Sequence, residues 1–178
     1  ILRIISFLPK KRQNLMFSAT MPTKIRSFAK RILNNPQEIT MAVSKPAEGV
    51  LQAAYYVEDE FKVELVNALI TEKQSYESII IFASTKKDVK KIVSSFKKNK
   101  LSARGISSDL EQSEREEVLR NFKAKKFRII VATDVISRGI DIKGINLVIN
   151  YNVPKAPEDY VHRIGRTARA NTTGVALT

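Results

Sequence analysis

Hydrophobic positions follow two different patterns along the chain, and they divide near residue 50. From Leu51 onward, short apolar runs alternate with segments whose apolar residues recur every three to four positions. This spacing predicts strands over 52–57, 78–83, 102–106, 128–132, 146–150 and 174–177, with helices over 60–72, 86–98, 112–123 and 157–164 between them. Ile79 to Phe82 and Ile129 to Val131 are unbroken apolar runs, as expected of strands covered on both faces. Val89, Ile92, Val93 and Phe96 form the stripe of the second helix. Thr85 with Asp88 predicts a capped start for that helix, and Ser113 with Glu116 predicts the same for the next. Strand–helix alternation of this kind predicts an α/β domain, three layers deep, around a doubly wound, mostly parallel sheet. There is no repeat at a solenoid period.

The first 43 residues read differently. Asn14 to Phe17 predicts a strand running into Ser18-Ala19-Thr20, and Pro22 opens a helix carrying Ile25, Phe28, Ala29, Ile32 and Leu33. Asn34-Asn35-Pro36 stops it, and Ile39 to Met41 predicts one more short strand. Residues 44–50 have the composition of a linker. The expected organisation is therefore a remnant of one domain at 1–43, a linker at 44–50, and a second domain at 51–178, truncated at its end. Ile1 opens inside an apolar stretch without a methionine, a sign of a piece of a longer chain.

Charge changes the picture more than composition does. Thirty-one Lys and Arg against 18 Asp and Glu give a formal net charge of +13, which favours a polyanionic partner. A lysine-rich surface kept soluble by its charge would look the same. There are no cysteines, which excludes disulfides and thiolate metal sites and agrees with a cytoplasmic location. No apolar run reaches the ~18 residues of a membrane span, so no membrane partner is expected.

In doubly wound sheets, ligands sit beyond the carboxyl ends of the strands. That rule draws attention to the segments after residues 82, 106 and 132, and to 160–169. In the last of these, Arg163, Arg166 and Arg169 lie three apart beside His162. Cations so close repel unless an anion such as a triphosphate or a nucleic-acid backbone sits among them. A solvated basic helix end is the plainer alternative. After the strand at 128–132 come Thr133-Asp134, then Arg138-Gly139-Ile140-Asp141. Thr133 can offer a hydroxyl to a phosphate and Asp141 a carboxylate to a sugar hydroxyl. Equally, Thr133-Asp134 can cap a helix and Asp141 can pair with Arg138.

These segments carry a resemblance. His162-Arg163-Ile164-Gly165-Arg166-Thr167-Ala168-Arg169 resembles motif VI of the DEAD-box ATP-dependent RNA helicases of superfamily 2, and Ala132 to Asp141 resembles their motif V. Ser18-Ala19-Thr20 matches motif III, Ile80 to Lys86 resembles motif IV, and Gln112 with Arg115 stands as the Gln-x-x-Arg element. The resemblance implies a RecA-like fold and the second motor domain of an RNA helicase. It implies that Arg166 and Arg169 are arginine fingers toward the γ-phosphate of ATP, with His162 coupling that site to the other domain. Asp141, with Gly139 and Arg163 beside it, is implied at the nucleotide. Thr85, Lys86, Asp109, Arg115, Thr133 and Arg138 are implied at RNA. Ser18 and Thr20 are implied in coupling hydrolysis to strand separation.

The partners implied are RNA, gripped without reading sequence, and an N-terminal RecA-like domain that supplies the phosphate loop and Mg²⁺ for ATP. The protein is expected to be a monomer with no metal site of its own in this chain. The chain contains no Gly-Lys pair and no Asp-Glu-Ala-Asp, so it is expected to be inactive alone. It also departs from the family pattern, with Ala168 where the family has Gly and Ser107-Ser108-Asp109 in place of His-Gly-Asp. A non-catalytic RNA-binding module and a DNA motor of the same fold are the alternatives.

Overall fold

A computed structural model describes residues 1–18, 21–40, 49–72, 75–134, 142, 144–168 and 173–178. The chain divides into two compact units, Ile1–Val43 and Ser44–Thr178.

Among its described residues the first unit contains two helices, α1 (Leu2–Ile5) and α2 (Thr23–Ile32). Pro22 occupies the N-cap of α2, where its missing N–H costs nothing. The helix ends as expected at Leu33, whose N–H reaches the Ala29 carbonyl at 2.9 Å, and Asn35 turns the chain with a φ of 42°. The predicted strand over 14–17 does not form, nor is there strand at Ile39 and Thr40; Met41 lies outside the described residues. An extended segment needs a partner for its backbone groups, and none pairs with it among the described residues. Ala29 is the one described residue of this unit that is buried, while Phe7, Phe17 and Ile39 are about four-fifths or more exposed (80%, 89% and 82%).

The second unit is a six-stranded sheet with helices on both faces. Its elements are β1 (Val50–Ala53), α3 (Lys62–Glu72), β2 (Ile79–Phe82), α4 (Lys86–Lys98), β3 (Ala103–Ile106), α5 (Gln112–Lys123), β4 (Ile129–Ala132), β5 (Leu147–Asn150), α6 (Pro157–Ile164) and β6 (Gly174–Leu177). The strand order is β1-β6-β5-β2-β4-β3, and every pair is parallel. The expectation of a mostly parallel sheet is thus met throughout. Strands and helices fall within about two residues of the predicted bounds, apart from the end of the first strand of this unit. That strand begins inside the expected linker, at Val50, and ends at Ala53.

The apolar runs of β2, β4 and β5 are explained by two cores. Ile79, Ile81, Ile129, Val131, Leu147 and Ile149 face one of them, closed by Val66 and Ile70 of α3 and by Val89, Ile92 and Phe96 of α4. Ile80, Phe82, Ile130, Ala132 and Val148 face the other, closed by Leu119 and Phe122 of α5. Successive residues of a strand point to opposite faces, so a strand covered on both must be apolar at every position. Each such side chain contributes roughly 1.5–3 kcal/mol on burial.

Local details seat the helices. Thr85 caps α4, accepting from the Asp88 N–H at 3.0 Å. On α5 the cap lies two residues earlier than Ser113, with the Glu111 N–H donating to the Glu114 carboxylate at 2.8 Å. Gly105 lets α4 settle on β3, since a Cβ there would stand 2.9 Å from Val89 Cγ1.

Candidate functional site

Because β5, β2, β4 and β3 are neighbours, the loops leaving their carboxyl ends lie side by side. Backbone bonds stitch them together: Ala83 N–H to the Ala132 carbonyl at 2.9 Å, Thr133 N–H to Ile106 at 3.1 Å, and Tyr151 N–H to Phe82 at 2.9 Å. The sequence-predicted positions Thr85, Lys86, Asp109, Thr133 and Arg163 are therefore gathered on that end of the sheet or on the helices that leave it.

Two polar atoms there are buried with no hydrogen-bond partner among the described residues: Thr133 Oγ1 and Arg115 Nε. A buried donor or acceptor left unpaired costs about 1–3 kcal/mol, so both invite a ligand. Thr85 is differently placed. Its hydroxyl donates to Asp88 Oδ2 at 2.7 Å while capping α4, so its side chain is already engaged. Lys86 and Lys90 converge on Asp109, at 2.9 and 3.2 Å. Hydrogen bonds from Lys86 and then Lys90 hold the exposed Asp109 carboxyl below its usual range. Asp109 N–H in turn reaches the buried Ser107 hydroxyl at 3.3 Å.

The end of α6 separates the three expected arginines. Arg163 is 1% exposed and turns inward. Its Nε and Nη2 donate to Asp134 Oδ1 and Oδ2 at 2.8 and 2.9 Å, and Nη1 reaches the Asn152 carbonyl at 2.9 Å and Asn150 Oδ1 at 3.3 Å. Its guanidinium also lies 5.3 Å from the Phe82 ring centroid. The fork of Arg163 thus meets a carboxylate in the bidentate geometry it suits best. Nor does Asp134 act simply as a helix cap. Arg166 is half-buried, with its Nε directed at the His162 carbonyl at 3.3 Å; His162 is half-buried as well. The chain then runs back along the sheet. Thr167 pairs with Ile145, ahead of β5.

Ala168 has a φ of 50° and is 7% exposed, a left-handed backbone that favours glycine. Ser18 lies in the first unit without regular structure. Thr20, Arg138, Gly139, Asp141 and Arg169 lie outside the described residues. Sequence reasoning passed over Asn150 and Asn152. Asn150 is the signal that was available: a polar side chain, 3% exposed, closing an otherwise apolar strand. Among the described residues there is no cluster of three or more His, Asp or Glu able to hold a metal, and no helix long and apolar enough to cross a membrane.

Residues 61–171 match the family described as "Helicase conserved C-terminal domain". The chain belongs to this family. Its relatives within the helicase family are DEAD-box proteins. It is 42% identical over 176 residues to a protein of Geobacillus kaustophilus named "DEAD-box ATP-dependent RNA helicase CshA", covering 98% of this chain and 38% of that one. A Bacillus subtilis protein of the same name is 39% identical over 98% of the chain and 35% of its own length. The chain therefore spans little more than a third of these relatives.

Among solved structures, S. cerevisiae Dbp5 bound to RNA and ADP BeF3 superposes with a TM-score of 0.86 at 30% identity, over 99% of this chain and 47% of that one. A DEAD box protein of Methanococcus jannaschii gives 0.69 at 39% identity, over 99% and 47%. The all-parallel, two-sided sheet is the RecA-like arrangement of helicase C-terminal domains.

Proposed function

We propose that this chain is the second motor domain of an ATP-dependent RNA helicase, which couples ATP hydrolysis to unwinding of RNA duplexes or remodelling of ribonucleoproteins. The observation that carries the reading is the pair of unpartnered atoms, Thr133 Oγ1 and Arg115 Nε. Both belong to residues the family resemblance places at RNA, and a phosphate or ribose oxygen would satisfy both. Contacts of this type position a strand without reading its bases. Lys86, paired with Asp109, adds charge at the start of α4, and Arg138 completes the RNA set.

At the nucleotide, Arg166 and Arg169 present cations to the γ-phosphate, and Asp141, with Gly139, holds the ribose. ATP supplies the phosphoryl group, and its Mg²⁺ is held by a phosphate-loop domain. Arg163 is reassigned from nucleotide contact to holding this end of the domain together. His162 carries the Arg166 contact through its carbonyl, and Ser18 and Thr20 couple the two motor halves.

The reading is tested by titrating the chain with labelled oligouridylate and with the matching DNA. RNA binding above DNA, weakened by Thr133→Val and by Arg115→Ala, is expected. Equal binding of both polymers, unchanged in the two variants, would reduce the chain to a charged surface.

A further inference from the structure

One guanidinium joins three strand-end loops to α6. Arg163 holds Asp134 after β4 and Asn150 and Asn152 at the end of β5. Asn152 Oδ1 accepts from the Ser84 N–H, after β2, at 2.8 Å, so the third loop is tied to the same centre. Asn150 Nδ2 extends the set to the Thr178 hydroxyl at 3.0 Å.

The placement of this centre matters more than its size. Ser84 directly precedes Thr85, and Asp134 directly follows Thr133, so two positions that the family resemblance places at RNA are each one peptide away from a member of the network. On the other side, Arg163 lies three residues before Arg166, whose N–H donates to the Arg163 carbonyl at 3.1 Å. A shift of either loop on binding RNA must pull on the Arg163 fork. A buried, bidentate fork with four hydrogen bonds has little slack, because displacement leaves donors unpaired in low dielectric.

We infer that Arg163 is a positioning residue. It transmits RNA occupancy at the loops after β2 and β4 to the end of α6, where it sets the placement of Arg166. The inference rests on the function proposed above and deepens it. Arg163 itself touches neither RNA nor nucleotide; it acts through Asp134 and Asn152 on one side and the α6 backbone on the other. Coupling through such a network requires an element whose arrangement both sites bias, and α6 with its terminal turn is that element.

The chain carries its own reporter, because His162 is its single histidine and its carbonyl receives Arg166 Nε. The experiment follows the His162 imidazole by NMR while oligouridylate is added, in the wild-type chain and in Asp134→Asn. That variant keeps the shape of the side chain but removes the charge from the fork. The wild-type resonance is expected to shift on RNA binding. In the variant, RNA still binds but the His162 shift is lost. Arg163→Lys, which keeps the charge without the fork, serves as a second variant and is expected to lose the shift too. A wild-type chain that binds RNA without moving His162 would overturn the inference. So would a shift that survives in both variants, since RNA would then act on α6 directly. A chain that binds no RNA at all would instead remove the function proposed above, so the two failures are distinguishable. Chemical-shift dispersion elsewhere in the spectrum separates loss of coupling from loss of folding.

Discussion

Arg163 and Asp134 share a bidentate ion pair in which one partner is dry and the other wet: the arginine side chain is 2% exposed and the aspartate 48%. The two ends of the pair are therefore not equivalent. Removing the aspartate strands a cation in the interior, whereas removing the arginine leaves a carboxylate that water can reach.

Asp134→Ala is accordingly expected to destabilise the domain more than Arg163→Leu. Breaking a buried pair from the side that leaves a buried charge costs about 3–5 kcal/mol, and partial exposure of Asp134 moves this toward the lower value. Arg163→Leu is expected to cost about 1–2 kcal/mol, mainly through the acceptors left on Asn150 and Asn152. Urea denaturation of both variants measures the difference, and the reverse order would mean that the guanidinium finds water or another acceptor.

Ala168→Gly is expected to stabilise the domain slightly. A non-glycine residue in left-handed backbone costs about 1–2 kcal/mol, while the buried methyl contributes only ~0.8 kcal/mol. The conformational effect exceeds the methyl by about 0.2–1.2 kcal/mol, and the freedom of glycine in the unfolded chain takes back part of this, so the gain is small. Thermal unfolding reads it as a small rise in Tm; a fall would show that the methyl packs better than its area suggests.

RNA binding by the chain is expected to be weak and sensitive to salt. With ~3–4 phosphates contacted on a single strand, doubling the salt lowers affinity about four- to sevenfold. Asp109→Asn is expected to tighten binding and steepen this dependence, because it frees Lys86 and Lys90 for phosphate. Weakened binding in that variant would instead make Asp109 a direct RNA contact.

The same carboxylate gives a pH signature. The lysines lower the folded-state pKa of Asp109, so its contribution to stability is present above the unfolded value and is lost as pH falls through the folded one. Lys86→Ala should move the Asp109 titration, followed by carboxyl NMR, upward toward the ordinary aspartate value. An unmoved titration would assign the effect to Lys90 alone.

On the function proposed above, the Arg166→Ala variant of a helicase carrying this chain is expected to lose about 10³-fold or more of RNA-stimulated ATP turnover while sparing most ATP affinity. Arg166→Lys should not restore it fully, since a point charge lacks the planar fork. Asp141→Ala should weaken nucleotide binding, because a ribose contact is made before the transition state. Steady-state kinetics together with nucleotide binding separate the two. Near-normal turnover of Arg166→Ala would remove it from the catalytic role. The chain by itself should hydrolyse no ATP.

The sheet was legible in the sequence because strands buried on both faces announce themselves as unbroken apolar runs, and α4 because its stripe and Thr85 cap agree. The α5 cap was misplaced because Glu111/Glu114 and Ser113/Glu116 satisfy the same spacing two residues apart. Asn14 to Phe17 has a strand's composition, but composition supplies no pairing partner. The inward turn of Arg163 could not be read locally: its partners lie 29, 13 and 11 residues away, and only the sheet order brings them together. The cluster of three arginines suggested a shared anion, yet one of them had already found a carboxylate within the chain.

The register of β1 sets a schedule for synthesis. Val50 pairs with Gly174, so the first strand of the second unit waits for its sixth strand before it has any neighbour. On a ribosome releasing the chain from its amino end, β2, β3 and β4 can assemble while β1 remains an unpaired edge. β1 is thus the strand that must wait for β6 to lock, and anything that engages it early competes with completion of the fold.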